Sequence, residues 1–356
     1  YRSINPSMMS LEFVDPDKEP ARAKQAGIKK YGTLQLVSGE RDTQVDEISE
    51  EKITNGILKI TKDKTPELCI LAGHGEKSFS STEPDGFESM RKALTGQAYS
   101  VREINLVSTA RIPESCSALA LWGPTRGLFP QELGLISEHL KQGGRLIAGI
   151  DLAFQGTDAA QEINALLGPW GLKIDRALLV DPSIRAMELD SSVLIVNQFS
   201  RENPITRDLT TGVALPFARP VVELPSNPAG NKPNAVLSTS AKAWGETSLK
   251  ELTAGRAQYT PGQDTMGVLH PAITLEGKIP GSNVARLSRI AVFGSASFAN
   301  NTFSRMLNNS DFFLNSVAWV LEDDSSISIR AKEQEGGKKE KTKKEKKPKA
   351  DKKEKE

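Results

Sequence analysis

From residue 66 to residue 150 short apolar runs alternate with amphipathic stretches, and that alternation restricts the fold more than any other feature of the chain. Leu68 to Ala72, Val101 to Ile104, Ala118 to Leu121 and Arg145 to Ile150 read as the strands of this pattern. Helices are predicted between them, from about Asp85 to Leu94 and from Pro130 to Lys141. In "PQELGLISEHLKQGG" Leu133, Ile136 and Leu140 make one stripe, Pro130 suits the first helical position and Gly143-Gly144 stops the helix. A second pattern, Ala159 to Leu167, ends at Gly168-Pro169. Strands and helices in this alternation imply a parallel sheet with flanking helices, an α/β fold.

The rest of the 356 residues is arranged around that core. Residues 1–45 read as a small β-rich domain, with Leu11 to Val14 and Leu34 to Val37 as its strands. Residues 46–65 read as a connecting helix, acidic at its start and lysine-bearing at its end, as the helix dipole favours. Residues 66–330 form the α/β domain, with a β-rich insertion or sheet extension at about 172–285 carrying "SSVLIVNQFS" and "MGVLHPAITLEG". A last strand in "LSRIAVFGSASFANN" and a helix in "SDFFLNSVAWVL", with Phe313, Val317 and Val320 on one face, are expected to close it. Residues 331–356 are glycine, lysine and glutamate with almost nothing to bury, and are expected to be disordered.

Composition narrows the function. The net charge of +1 hides a tail, 338–356, with 11 lysines against 5 acids, so the body carries −5, which argues against nucleic acid. No apolar run reaches the roughly 18 residues that would span a bilayer. The chain opens on Tyr1 and not on methionine, which reads as a fragment or processed form with room for an anchor or signal ahead of it, and no targeting is read from Tyr1 onward. Cys69 and Cys116, both beside apolar runs, are expected to be buried small hydrophobes and not a disulfide or a zinc site.

In open parallel sheets ligands bind outside the carboxyl ends of the strands. Four loops are predicted there: 73–77, 123–127, the turn at Asp151, and 294–297. They offer a polar crevice of His74, Gly75, Glu76, Thr125, Arg126, Asp151, Ser295 and Ser297, with Arg126 and Asp151 placed to pair across adjacent loops. The chemistry available to it is limited. No G-x-S-x-G elbow occurs, and Pro124 at the matching turn donates no N–H to an oxyanion. Three histidines, none in an H-x-x-x-H pair, make no metal site. "GHGEKS" and "GPTRG" match neither phosphate-loop nor dinucleotide signatures, so no cofactor is expected and nothing binds ATP. A hydrolase or carbohydrate-active enzyme using Glu76 and Asp151 as acid and base, and a solute-binding receptor, are the competing classes.

"EEKITNGILKI", "LAGHGE", "LWGPTRGLFPQELGLISEHLKQGGRLIAGID", "RIAVFGSASFANN" and "FFLNSVAWVLEDDSSISIR" occur in an order that resembles the GldG family, the auxiliary component of gliding-motility type ABC transporters, over roughly residues 8–332. The resemblance implies a non-enzymatic domain with a flavodoxin-like, glutamine-amidotransferase-like sheet that has lost its catalytic cysteine and histidine, as in an intraflagellar transport protein. It also implies a place on the extracytoplasmic, periplasmic face of the bacterial inner membrane, anchored by segments absent from this chain, with ABC permease and ATPase subunits as partners; a cell-envelope component is a further candidate partner for the crevice. Two departures stand out. Gly294 to Ser297 lacks the acidic residue common in that family's loop, and the lysine-rich tail stands where the family has a C-terminal span.

Overall fold

The computed structural model describes residues 9–62, 64–183, 192–323 and 326–327, so the tail at 331–356 lies outside the described residues. The chain divides into two compact units, Tyr1–Lys64 and Thr65–Glu356.

The first unit contains α1 (Pro20–Gln25), a hairpin of β1 (Leu34–Ser38) and β2 (Arg41–Val45), and α2 (Glu50–Thr61). Ser49 caps α2 by accepting the Lys52 N–H. The helix expected as a connector therefore lies within this unit and packs on its hairpin. Leu11 to Val14, expected as a strand, forms none, and Phe13 is fully in solvent. Alternation over four residues with no partner strand nearby does not hold a ladder.

The second unit is built on an eight-stranded sheet of order β10-β13-β16-β17-β6-β5-β3-β4. Its elements in chain order are β3 (Glu67–Leu71), α3 (Glu88–Gly96), β4 (Ser100–Ile104), α4 (Leu106–Thr109), β5 (Cys116–Trp122), α5 (Pro130–Lys141), β6 (Arg145–Gly149) and α6 (Ala160–Leu167). Shorter strands follow: β7 (Leu172–Ile174), β8 (Leu178–Val180), β9 (Val193–Val196), β10 (Gln198–Phe199), β11 (Val213–Pro216), β12 (Val221–Glu223), β13 (Asn234–Ser238) and β14 (Trp244–Glu246). The chain ends with α7 (Leu249–Thr253), β15 (Thr265–Met266), β16 (Ala272–Gly277), β17 (Ser288–Phe293) and α8 (Asn309–Val320). Strands β4, β3, β5, β6 and β17 run parallel, while β16, β13 and β10 continue the sheet antiparallel. The parallel part has the flavodoxin-like order 2-1-3-4-5, with its switch point between β3 and β5. The β-rich region is thus partly sheet extension and partly three small sheets.

Alternation along each strand sends side chains to two cores. Leu68 and Ile70 of β3 face a layer with Met90 and Leu94 of α3 and Phe312, Phe313 and Val317 of α8. Cys69 and Leu71 face Ile136 and Leu140 of α5 and Ile163 and Leu167 of α6. Burial of each such side chain stabilises by about 1.5–3 kcal/mol.

One expectation is overturned here. Cys69 and Cys116 are joined in a disulfide between β3 and β5, with Cα atoms 5.6 Å apart. Both residues are buried on the α5 face, as expected of small hydrophobes, but strand adjacency also brings the sulfurs together. Parallel neighbours separated by a crossover of 47 residues leave no spacing signature in the sequence.

Candidate functional site

The loops after β3 and β5 meet at the switch point and are bonded to each other. The His74 carbonyl accepts the N–H groups of Thr125 and Arg126, at 2.9 and 3.0 Å, and the Thr125 hydroxyl lies 3.3 Å from the same oxygen. Gly75 is required by this closure: it sits at φ +81°, and a Cβ there would stand 2.0 Å from Thr125 Oγ1. The two loops that flank the switch point are thus tied to each other through one carbonyl oxygen.

Glu76 is committed to the same loop. Its Oε2 accepts the N–H groups of Gly73 and His74, at 3.1 and 2.7 Å, while Oε1 is buried without a hydrogen-bond partner. The His74 side chain is buried, with Nε2 2.8 Å from Oε2 of Glu132, a close contact that is not a well-aligned hydrogen bond. Glu132 Oε2 also accepts the Phe129 N–H at 3.0 Å, and the Phe129 ring stands edge-on to the imidazole with centroids 5.5 Å apart. Glu132 was not among the expected residues, because an acid in the first turn of a helix reads as a partner of the helix dipole.

Asp151, two residues past β6, belongs to a second cluster. Its carboxylate accepts the N–H groups of Ala296 and Ser297, at 2.7 and 3.0 Å, and the Ser297 hydroxyl at 2.7 Å. Ser295 Oγ stands 3.3 Å away and gives its proton to the Pro216 carbonyl at 2.6 Å. Burial pushes the Asp151 carboxyl above its ordinary pKa, and the hydrogen bonds from Ser297, Ala296 and Ser295 pull the other way. The expected pair between Arg126 and Asp151 does not form. Asp151 is occupied by the 294–297 loop, and Arg126 is exposed with no ion-pair partner among the described residues.

Beneath this cluster runs an ion pair with no counterpart in the sequence reading. Arg219 is fully buried and donates to both oxygens of Asp158, at 2.6 and 2.8 Å, and through Nε to the Asp175 carbonyl at 2.7 Å. Burial raises the cost of charge on Asp158, but the hydrogen bonds and charge of Arg219 bring its carboxyl below the ordinary value. Gly294 lets this layer close, since a Cβ there would stand 1.9 Å from the Arg219 carbonyl. The two partners are 61 residues apart, so neither marks the other in the sequence.

His74, Glu76 and Thr125 thus fall in one loop-bracing cluster and Asp151, Ser295 and Ser297 in another, with Glu76 Oε1 the carboxylate oxygen left without a partner. Glu67, Cys69 and Cys116 also converge, but both sulfurs are in the disulfide and Glu67 Oε2 takes the Arg102 guanidinium at 2.7 Å. No thiolate remains there to bind a metal ion.

A family model described as ABC-type uncharacterized transport system matches residues 65–316. No curated protein matches the chain. Among solved structures, the mmIFT52 N-terminal domain is similar at 16% identity and a TM-score of 0.51, covering 71% of this chain and 97% of that one. Putative ThuA-like proteins from Bacteroides uniformis and Parabacteroides merdae are 12% and 9% identical, with TM-scores of 0.41 and 0.42. They cover 73% and 72% of this chain and 94% and 90% of their own. At this identity the mmIFT52 likeness shows the fold alone.

Proposed function

The chain belongs to the ABC-type uncharacterized transport system family, as an auxiliary component, and from that premise we propose that it is a non-enzymatic binding or scaffolding subunit of the GldG-like, gliding-motility type. In this reading it works on the extracytoplasmic face of the inner membrane beside a permease and a separate ATPase, and contacts a cell-envelope component.

The observation that carries the non-enzymatic part is the commitment of the strand-end carboxylates to donors of their own loops. A general base needs a free lone pair within reach of substrate. Glu76 and Asp151, the two carboxylates a hydrolase would use, hold five loop donors between them, and the one Glu76 oxygen without a partner, Oε1, is buried. The Cys69–Cys116 disulfide supports the extracytoplasmic placement, because such bridges persist in oxidising compartments. Among the described residues no helix is long and apolar enough to cross a membrane.

Copurification tests the proposal. The full-length chain, extracted in mild detergent from its own membrane, is expected to bring down a permease and an ATPase in fixed ratio. Recovery of the chain alone, under conditions where permease and ATPase copurify with each other, would contradict it.

A further inference from the structure

The Cys69–Cys116 bridge lies towards the amino end of the sheet, away from the strand-end loops, and a bulge puts it there. Cys69 pairs with Leu119, so strict alternation along β5 would send Cys116, three residues earlier, to the opposite face. The register skips Ser117 between Cys116 and Ala118, and that extra residue returns Cys116 to the face of Cys69. Bulges re-aim side chains in this way at sheet edges and beside working sites.

The two sulfurs differ in access and in electrostatic surroundings. Cys69 is fully buried, while Cys116, the first residue of β5, is 8% exposed. One side chain of the edge strand β4 reaches both: Nη2 of Arg102 stands 4.0 Å from Cys69 Sγ and 3.9 Å from Cys116 Sγ. The same nitrogen donates to Glu67 Oε2 and Ser115 Oγ, each at 2.7 Å. Glu67 Oε2 is in turn 3.8 Å from Cys69 Sγ. The Arg102 side chain is 44% exposed, so it can swing aside without opening the core. A bridge that serves packing alone needs neither charge. A guanidinium beside a sulfur favours its thiolate, and a carboxylate beside a thiol accepts its proton. Once reduced, the pair therefore holds Cys116, the more accessible sulfur, as thiolate against Arg102, and Cys69 as a thiol donating to Glu67.

We propose that Cys69–Cys116 is an exchangeable redox bridge, opened by a dithiol partner that attacks Cys116, with Arg102 and Glu67 as positioning residues for charge and proton. In opening, one thiolate of the partner bonds Cys116 Sγ, the bond between the two cysteines breaks, and its electron pair leaves on Cys69 Sγ, which takes a proton from water beside Glu67. The partner's second sulfur, as thiolate, then bonds its first and releases Cys116 as a thiolate beside Arg102. The bridge is reduced to a dithiol and the partner is oxidised to a disulfide. The chain is the substrate of this exchange, which stands independently of the transporter reading.

The test uses the full chain in native buffer with dithiothreitol as the dithiol, followed by pulses of iodoacetamide and mapping of the labelled peptides by mass spectrometry. Reduction is expected while the circular dichroism of the fold is unchanged, and Cys116 is expected to label about tenfold faster than Cys69. Arg102→Gln is expected to slow Cys116 labelling at pH 7 about fivefold and to move its pH profile upward, and Arg102→Lys, which keeps the charge, to restore both. A bridge that opens only when the chain unfolds, or two cysteines that label equally in the folded wild type, would overturn the proposal. A Cys116 pH profile unmoved by Arg102→Gln would overturn it too, since exposure alone would then account for the difference.

Discussion

Asp151 carries three hydrogen bonds from the loop that closes the main sheet, so Asp151→Ala strands the Ala296 and Ser297 N–H groups. Each buried donor left unsatisfied costs about 1–3 kcal/mol, and urea unfolding is expected to show a loss of roughly 3 kcal/mol. Gly75→Ala faces both a positive φ and a 2.0 Å clash with Thr125. It is expected to cost about 1–3 kcal/mol in the same measurement. His139 gives a pH signature. Burial, with a smaller contribution from the Arg286 charge, lowers its pKa to about 4 from 6.5, and its Nε2 accepts the Arg145 N–H. The unfolded chain therefore binds a proton that the folded one refuses. Stability from this group is intact above about pH 6.5 and declines as pH falls towards 4, by up to about 3 kcal/mol. His139→Gln is expected to flatten that slope in denaturation curves between pH 7 and pH 4, and an unchanged slope would count against the assignment.

At the scale of elements, the disulfide ties β3 to β5, the two strands whose ends carry the bonded loops. Closing a loop of 47 residues is worth about 4 kcal/mol in the chain-entropy account. The double variant Cys69→Ala, Cys116→Ala is expected to melt several degrees lower than the oxidised wild type, and dithiothreitol is expected to lower the wild type but not the variant. What the sequence disclosed and what it hid follow a physical division. Helix α5 was legible to its ends, because Pro130, the apolar stripe and Gly143-Gly144 are local signals. Four of the five parallel strands were legible because strands buried on both faces are near-continuous apolar runs, whereas the edge strand β4, with Arg102 and Glu103 exposed, is marked only by Val101 and Ile104. The bridge Cys69–Cys116, the pair Arg219–Asp158 and the contact His74–Glu132 were not, since each depends on which elements become neighbours. The candidate loops were correctly placed as strand-end loops, but their mutual bonding depends on the Gly75 turn meeting Thr125, which no single segment encodes.

At the largest scale, the doubly wound sheet of the second unit has the two loops at its switch point bonded to each other through the His74 carbonyl. That arrangement favours contact over chemistry at this edge: the polar groups are turned inward to brace loops. The most direct test is transport-linked function in cells lacking the native copy. Glu76→Gln, which keeps an acceptor for the Gly73 and His74 N–H groups, is expected to restore function like the wild type at equal protein level. Loss of function with Glu76→Gln in a fully folded chain would contradict the account.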